Sequence, residues 1–125
     1  MCKLKSLEKN LPQKSLRVKC KIWIEADNGV VFGGGRLALF QAIMECGSIN
    51  QAAAKLGMSY RAAWGKITAT EKHLGIKLVE RHIGGVKSGS ELTAEAKKIM
   101  EAYLQFKKEA EEAVNRLFHQ YFDNL

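Results

Sequence analysis

Two short helices with a very short turn between them are the feature that most constrains the fold of this sequence. Ser48 and Gln51 have the spacing of a capping box, in which the Ser48 hydroxyl accepts a hydrogen bond from the Gln51 amide at a helix start. Leu56-Gly57 ends that helix, because glycine adopts the left-handed conformation without a steric penalty. Ser59 is a good N-cap for a second helix. The pattern predicts a helix-turn-helix with a turn of about three residues.

Weaker strand signals precede this motif. Residues 18–25 alternate between apolar and polar side chains and predict a half-buried strand, and the turn at 27–29 leads into a second strand at 30–32. The glycines at 33–35 lack the Lys-Ser or Lys-Thr of a phosphate-binding loop, so they predict a strand-to-helix turn with positive φ angles. A helix closed by Gly47 follows. Its apolar residues at helical spacing are Leu37, Phe40, Ile43 and Met44.

A second hairpin and a long helix follow the motif. A short strand over residues 77–82, a glycine-rich tip at 83–90 and the return of Leu92 predict the kind of hairpin called a wing. Thr93 is placed to cap a final helix, since Ala94 to Phe122 contains neither glycine nor proline. The fold class is therefore mainly α with small β: a winged helix-turn-helix with an N-terminal β-hairpin and a long C-terminal helix.

Three parts are expected along the chain. Residues 1–15 form a basic flexible arm, residues 16–93 a winged helix-turn-helix domain, and residues 94–122 a long dimerisation helix.

The positive charge is concentrated on two parts of the chain. The net charge is +7, with seven basic residues against one acidic residue up to Lys21, and eight against three over residues 33–90. From Glu91 onward the balance reverses to five basic and seven acidic residues. This distribution is typical of a phosphate-binding surface, although a generally basic solvated protein would carry a similar net charge.

The second helix of the motif, about 59–74, is predicted to enter the major groove of double-stranded DNA. A rotation of about 100° per residue places Ala63, Ile67, Thr70 and Leu74 on the core side. Arg61 and Gly65 lie on the outer side, where Arg61 would read guanine and Gly65 would let the backbone approach a phosphate. The contacts expected from this helix are Ser59, Tyr60, Arg61, Gly65 and Lys66.

Trp64 and the wing add further interpretations. The spacing of Trp64 favours a packing residue, and stacking on DNA is the alternative. Arg81, His82 and Lys87 of the wing are expected to approach the sugar-phosphate backbone or the adjacent minor groove.

The final helix carries an apolar stripe longer than a small domain can cover. At 1.5 Å per residue it spans roughly 43 Å. A symmetric homodimer through this helix would cover the stripe and place two recognition helices at half-sites one or more DNA turns apart. The alternative, an intramolecular cover, accounts for its first half only. The stripe consists of Ala96, Ile99, Tyr103, Phe106, Ala110, Ala113, Leu117 and Tyr121.

Several classes of protein receive little support. There is no apolar run long enough to cross a bilayer and no signal-peptide core at the start, so a cytoplasmic protein is expected. The three cysteines lack metal-ligand spacing, and the three histidines lie far apart without a convincing nucleophile or carboxylate nearby. We therefore expect no metal, no cofactor and no enzymatic activity.

The sequence resembles the N-terminal DNA-binding domain of the ModE-type molybdate-responsive transcription regulators, and more distantly the winged helix of LysR-type regulators. The resemblance covers about residues 16–122. It implies a dimeric winged helix-turn-helix joined by its long terminal helix, with DNA-facing roles for Ser59, Tyr60, Arg61 and the wing. The segments that carry it are Gly-Ser-Ile-Asn-Gln-Ala-Ala at 47–53, Met-Ser-Tyr-Arg-Ala-Ala-Trp at 58–64, Leu-Val-Glu-Arg at 78–81, Gly-Gly at 84–85 and Leu-Thr at 92–93.

The sequence departs from this family in one respect. Full-length members bind molybdate through additional β-barrel domains downstream, whereas this sequence stops at Leu125. No residue here is expected to take the oxyanion-binding role, and the effector stays open.

Two functional hypotheses follow. The first is a homodimeric transcription regulator that binds a roughly palindromic double-stranded DNA site. The alternative is a winged-helix adaptor module that binds a protein partner without specific DNA recognition.

Overall fold

The computed structural model of the chain describes residues 16–82 and 89–124. Within these residues two compact units are present, one formed by residues 21–82 and 89–109 and the other by residues 16–20 and 110–124. The predicted arm at 1–15 and residues 83–88 of the predicted wing tip lie outside the described residues, and the last two residues predicted for the tip, Gly89 and Ser90, belong to a strand. The elements confirm the predicted fold class, and in chain order they are β1 (Ile24–Ala26), β2 (Gly29–Phe32), α1 (Gly34–Cys46), α2 (Ile49–Lys55), α3 (Tyr60–Leu74), β3 (Val79–His82), β4 (Gly89–Leu92) and α4 (Ala94–Phe122).

The helix-turn-helix is α2 followed by α3, with the predicted start and stop residues. The Gln51 amide donates to Ser48 Oγ at 3.2 Å, and the Ala62 amide donates to Ser59 Oγ at 3.0 Å. Gly57 in the turn has a φ of 71°. Each capping serine bonds to an amide only three residues further along the chain. The helix starts can therefore be predicted from the local sequence.

One hydrophobic core joins α1, α2, α3, both hairpins and the start of α4. Ala52 and Ala53 of α2 are fully buried, so they let neighbouring helices approach closely. The sequence pattern also predicts that Ala54, the third alanine of this run, packs in the same way, but Ala54 is exposed. The largest fully buried side chains are Phe32, Leu39, Phe40, Ile43, Ile49, Ile67, Leu78 and Val79.

The N-terminal hairpin is shorter than predicted. Ile24 pairs with Phe32 and Ala26 with Gly29 in an antiparallel register, and residues 18–23 are not in a strand. Because β2 ends opposite Ile24, no described strand lies beside the earlier residues to continue the ladder. Ile24 itself is 43% exposed, contrary to the predicted alternation.

The glycines before α1 serve a different purpose from the one predicted. Gly33 has a φ of −178°, an extended conformation, and Gly34 already begins the helix. A Cβ on Gly33 would lie 2.9 Å from the Trp23 Cβ, so this position needs glycine because of close approach and not because of positive φ. Met44, predicted as an apolar position of the same helix, is 55% exposed.

The hairpin after α3 returns in the predicted register, with Val79 opposite Leu92. The sequence predicts that strand β3 begins at Lys77, but it begins at Val79. A side chain, and not a neighbouring strand, accepts from the amides at this point. Glu71 Oε2, from the last turn of α3, accepts from the backbone amides of Leu78 at 2.8 Å and Val79 at 3.2 Å.

The other strand of this hairpin is joined to the corner between α1 and α2. The Ser90 amide donates to the Gly47 carbonyl at 2.9 Å. Gly89 has a φ of 138°, and a Cβ at this position would lie 2.5 Å from the Gly47 oxygen. The approach of these two backbones therefore requires glycine.

Helix α4 begins and ends as predicted. The Ala96 amide donates to Thr93 Oγ1 at 3.2 Å, and this hydroxyl donates to the Lys77 carbonyl at 2.8 Å. Within the unit of residues 21–109, the Tyr103 ring lies edge-on to Phe32 and its hydroxyl donates to the Ile22 carbonyl at 2.6 Å. None of the helices formed by the described residues has the length and apolar character that a membrane span needs.

Candidate nucleic-acid interface

Helix α3 is held in place by one buried side. Ala63, Ile67 and Thr70 are fully buried, as the helical spacing predicts. Leu74 was expected on this side and is 37% exposed, because it is the last helical residue before the left-handed cap at Gly75 and lies at the edge of the core. Because Ala63, Ile67 and Thr70 lie on one side of α3, the opposite side of the helix faces solvent.

Thr70 is the buried polar residue among those described, and both of its hydrogen-bonding roles are used. Its hydroxyl donates to the Val31 carbonyl at 3.0 Å and accepts from Arg36 Nε at 2.9 Å. Partial burial lowers the pKa of the Arg36 guanidinium from its ordinary value. These bonds tie α3 to β2 and α1 on the side away from the proposed DNA contacts.

Four of the predicted contact residues of α3 are exposed: Ser59, Arg61, Gly65 and Lys66. Arg61 and Lys66 form no ion pair with another described residue, so their charges face solvent. A Cβ added to Gly65 would meet nothing within 4 Å, so packing inside the protein does not require glycine at this position.

The fifth residue, Tyr60, is half-buried and packs against the core. Trp64, one turn further along α3, does the same, which supports the packing interpretation of its spacing. These two rings form the flank of α3 that faces β3.

Arg81 of β3 lies over that flank. Its guanidinium carbon is 5.1 Å from the centroid of the Trp64 ring and 6.0 Å from that of Tyr60. His82 and Glu80 are on the other face of the strand, where His82 Nε2 lies 3.1 Å from Glu91 Oε1. Lys87, the third predicted wing contact, lies outside the described residues.

Not every basic residue of this segment is free to meet a phosphate. Lys55, at the end of α2, forms an exposed ion pair with Glu45. The hydrogen bond and the charge of Glu45 raise the pKa of Lys55. The exposed positive charge that remains on the helix-turn-helix is therefore centred on α3.

One group of described side chains has the composition of a metal site. Ligand atoms of Glu80, His82 and Glu91 lie within 4.8 Å of one another, and all three residues are exposed. Exposed groups of this kind are common without a metal, so the geometry alone assigns none. The described cysteines, Cys20 and Cys46, are free thiols.

Sequence reasoning missed three contacts that position the interface: Arg36 with Thr70, Glu71 with the start of β3, and Arg81 with the α3 rings. The direction of the Arg81 side chain could have been predicted from the sequence. Val79 and Arg81 share one face of a strand, and Val79 is a core residue, so Arg81 must point to the same side as the core. Arg36 and Thr70 are 34 residues apart, and Glu71 bonds to backbone amides in the next element, so neither contact leaves a local pattern.

Comparison with known families supports this description. The family model for bacterial regulatory helix-turn-helix proteins of the lysR family matches residues 35–97, from α1 to the start of α4. The chain therefore belongs to the lysR family of bacterial regulatory helix-turn-helix proteins.

The resemblance to ModE-type proteins is also confirmed. The chain is 36% identical over 83 residues to the transcriptional regulator ModE of Haemophilus influenzae, an alignment that covers 66% of this chain and 32% of that protein. It is 32% identical over 102 residues to the molybdenum transport protein ModE of Azotobacter vinelandii, covering 81% of this chain and 38% of the relative. The chain thus spans about a third of the length of these curated relatives.

A solved structure shares the fold. A crystal structure of a complex between CbnR_DBD and DNA matches with a TM-score of 0.52 and 29% sequence identity. The match covers 66% of this chain and 90% of that one.

Proposed function

We propose that this protein is a transcription regulator that binds a specific double-stranded DNA sequence as a homodimer, with α3 as the recognition helix. One observation carries the proposal: α3 is anchored by a buried side, while Arg61, Gly65 and Lys66 are exposed on the remainder of the helix. A rigid helix that presents free cations and a glycine to solvent fits a major groove. The ModE and CbnR_DBD matches support the same class of function.

Each proposed contact residue of α3 and of its N-cap receives a role from its chemistry. Arg61 presents a guanidinium that can pair with the O6 and N7 atoms of guanine. Ser59 and Tyr60 lie in the first turn, where recognition helices contact base edges, and Lys66 supplies a phosphate contact. At Gly65 the missing side chain lets the DNA backbone approach the helix.

The hairpin of β3 and β4 carries the proposed wing. Residues 83–90, with Lys87, are proposed to contact the adjacent backbone or minor groove, where contacts add affinity with little sequence choice.

A homodimer is proposed from the exposed apolar residues of α4. Leu104, Phe106, Leu117, Tyr121 and Phe122 are each 43–66% exposed on a helix of 29 residues. Burying a fully exposed side chain of this size contributes about 1.5–3 kcal/mol, and roughly half of that gain remains for these half-exposed residues, so a second copy of the same helix would be a favourable cover. Two copies would also provide two recognition helices for a palindromic site.

The cell compartment and the absence of catalysis follow from the same proposal. A regulator of transcription acts where the bacterial chromosome lies, so we place the protein in the cytoplasm and assign it no enzymatic activity.

Selection of bound duplexes from a random DNA pool tests the function. We expect enrichment of one motif made of two inverted half-sites, whose centres lie about 10 base pairs or a multiple of that apart. Parallel selections with and without molybdate or tungstate would reveal any effector response. A pool that shows no enriched sequence after several rounds would contradict the proposal.

A second candidate function, a module that binds a protein partner, is favoured by a different surface. A groove of about 450 Å³ between α1 and α4 is lined by Met44 and Leu104, which are both exposed, and by Met100. This candidate gains support if the selection enriches no DNA and the purified chain is a monomer.

A further inference from the structure

The contact between Arg81 and the rings of α3 suggests a role for this arginine other than the predicted contact with DNA. Arg81 is next to His82, the last residue of β3, so its guanidinium is at the base of the proposed wing. Tyr60 and Trp64 are in the first two turns of α3, where the base contacts are proposed. The arginine thus connects the two DNA-contacting elements of the interface.

Strand geometry explains why the arginine points toward α3. Alternate residues of a strand share a face, and Val79, two residues before Arg81, is fully buried in the core. The pairing of Arg81 with Ser90 leaves the long side chain free to extend over the neighbouring helix. Glu80 and His82 face the other way, and the His82 imidazole contacts Glu91.

The chemistry of the contact is favourable. A guanidinium within about 6 Å of an aromatic centroid is attracted by the negative face of the ring, and tryptophan is the best acceptor. Here one guanidinium meets two rings that already pack against the core. Both rings therefore contact the core and lie beside the Arg81 guanidinium.

We propose that Arg81 is a positioning residue for base recognition: it holds Tyr60 and Trp64 against β3 and so sets the orientation of the first turns of α3 and of the wing relative to each other. The inference rests on the proposed function, because it concerns how that interface reads DNA. Arg81 therefore affects the choice of sequence more than the overall electrostatic attraction. A direct phosphate contact by Arg81 is the competing role.

The contact itself can be tested without DNA. The chain has two tryptophans, so Trp23→Phe leaves Trp64 as the single tryptophan, whose emission can be excited selectively over that of the tyrosines. In that background we expect Arg81→Met to shift the Trp64 emission and increase its quenching by acrylamide, because the covering group is lost. Arg81→Lys should restore part of the protection, and His82→Ala, which alters the opposite face of β3, should leave the emission unchanged. Identical quenching of Trp64 in the Trp23→Phe protein with and without Arg81→Met would overturn the proposal.

The second measurement separates positioning from a phosphate contact. Binding of the parent protein and Arg81→Met is titrated against the selected DNA site and against single base-pair variants at several salt concentrations. A positioning role predicts a loss of discrimination of about 2- to 30-fold, the range spanned by such cation–π contacts, with the salt dependence unchanged. A phosphate role predicts equal loss on every sequence and a salt slope smaller by about 0.9, and that outcome would overturn the proposal.

The two experiments also keep this proposal distinct from the proposed function. If the parent protein binds no DNA selectively, the proposed function fails and the specificity role of Arg81 fails with it, even when the quenching result shows the contact. If the parent is selective and Arg81→Met is equally selective, only the role of Arg81 is overturned.

Discussion

Arg61 is the residue with the strongest chemical case for reading a base. It is exposed in the first turn of α3 and free of ion pairs to other described residues, so its five N–H donors are available to a ligand. A lysine at the same place would lack the planar fork that pairs with guanine at two atoms.

We therefore expect Arg61→Ala to weaken binding to the selected site by about 1 to 3 kcal/mol and to relax specificity at one base pair in each half-site. Lys66→Ala is the matched control: as a phosphate contact it should weaken all sequences equally and reduce the salt slope by about 0.9. Titrations against single base-pair variants measure both effects. A uniform loss in Arg61→Ala would show that Arg61 contacts phosphate instead.

Gly65 combines two opposing demands at one position. Glycine in a helix interior costs about 0.8 to 1 kcal/mol relative to alanine, and nothing within 4 Å would obstruct a Cβ there. The fold is therefore expected to be more stable with alanine, and we propose that the approach of the DNA backbone accounts for the glycine.

Gly65→Ala should raise the free energy of unfolding by about 0.8 to 1 kcal/mol and at the same time weaken DNA binding. Urea unfolding followed by circular dichroism and a DNA titration measure the two effects. Gly35→Ala provides a control, because it is also helical and open to a Cβ but lies in α1, outside the recognition helix. If Gly65→Ala binds DNA as well as Gly35→Ala does, the proposal that the DNA backbone approaches α3 closely at Gly65 is wrong.

Among the secondary-structure elements, the β3–β4 hairpin is held by hydrogen bonds to α3 and to the corner between α1 and α2. The last turn of α3 supplies Glu71, whose carboxylate accepts from the Leu78 and Val79 amides. At the other strand, Ser90 bonds to the Gly47 carbonyl. The hairpin is thus tied to the helix-turn-helix at both of its strands.

Glu71→Ala should lower the free energy of unfolding by about 1 to 3 kcal/mol, because it leaves two amides beside the core without an acceptor. Glu71→Gln keeps an acceptor oxygen and should lose less. Glu80→Ala removes an exposed carboxylate from β3 and should stay within about 0.5 kcal/mol of the parent. Equal unfolding midpoints in urea for Glu71→Ala and Glu80→Ala would contradict this role for Glu71.

The elements also show how far the sequence could be read. Helix boundaries were predictable, because Ser48, Ser59 and Thr93 cap helices through residues three positions away. Strand limits were not, because the start of β3 depends on Glu71 and the length of β1 on where β2 ends. A strand needs partners that a local pattern does not specify.

The candidate site also combines features that the local sequence predicts with contacts that it does not predict. The exposure of Arg61, Gly65 and Lys66 follows from helical periodicity, which requires no knowledge of the tertiary structure. The contact of Arg81 with Trp64 depends on how β3 lies beside α3, and the reason for Gly33 depends on the approach of Trp23. Such contacts arise only when separate elements are packed together.

At the scale of the whole molecule, dimerisation determines whether one recognition helix or two meet the DNA. Leu117 of α4 is 50% exposed and lies on the predicted apolar stripe. Asn115, also exposed, lies on the opposite side of the helix at about 100° per residue.

We expect Leu117→Asp to shift the protein from dimer to monomer in light scattering at micromolar concentration, because the new charge would be buried in the interface. Binding to a palindromic site should weaken in parallel, since the second half-site contact is lost. Asn115→Asp introduces the same charge and should remain dimeric. A parent protein that is already monomeric would refute the dimer.

We propose above that this chain reads a specific double-stranded DNA sequence through α3. The most direct test of this claim is a fluorescence anisotropy titration of the full chain against the selected duplex and a shuffled duplex of equal composition, at several salt concentrations. We predict binding at least about a thousandfold tighter to the selected duplex at physiological salt, with affinity falling steeply as salt rises. Equal affinity for the two duplexes at physiological salt would contradict the claim.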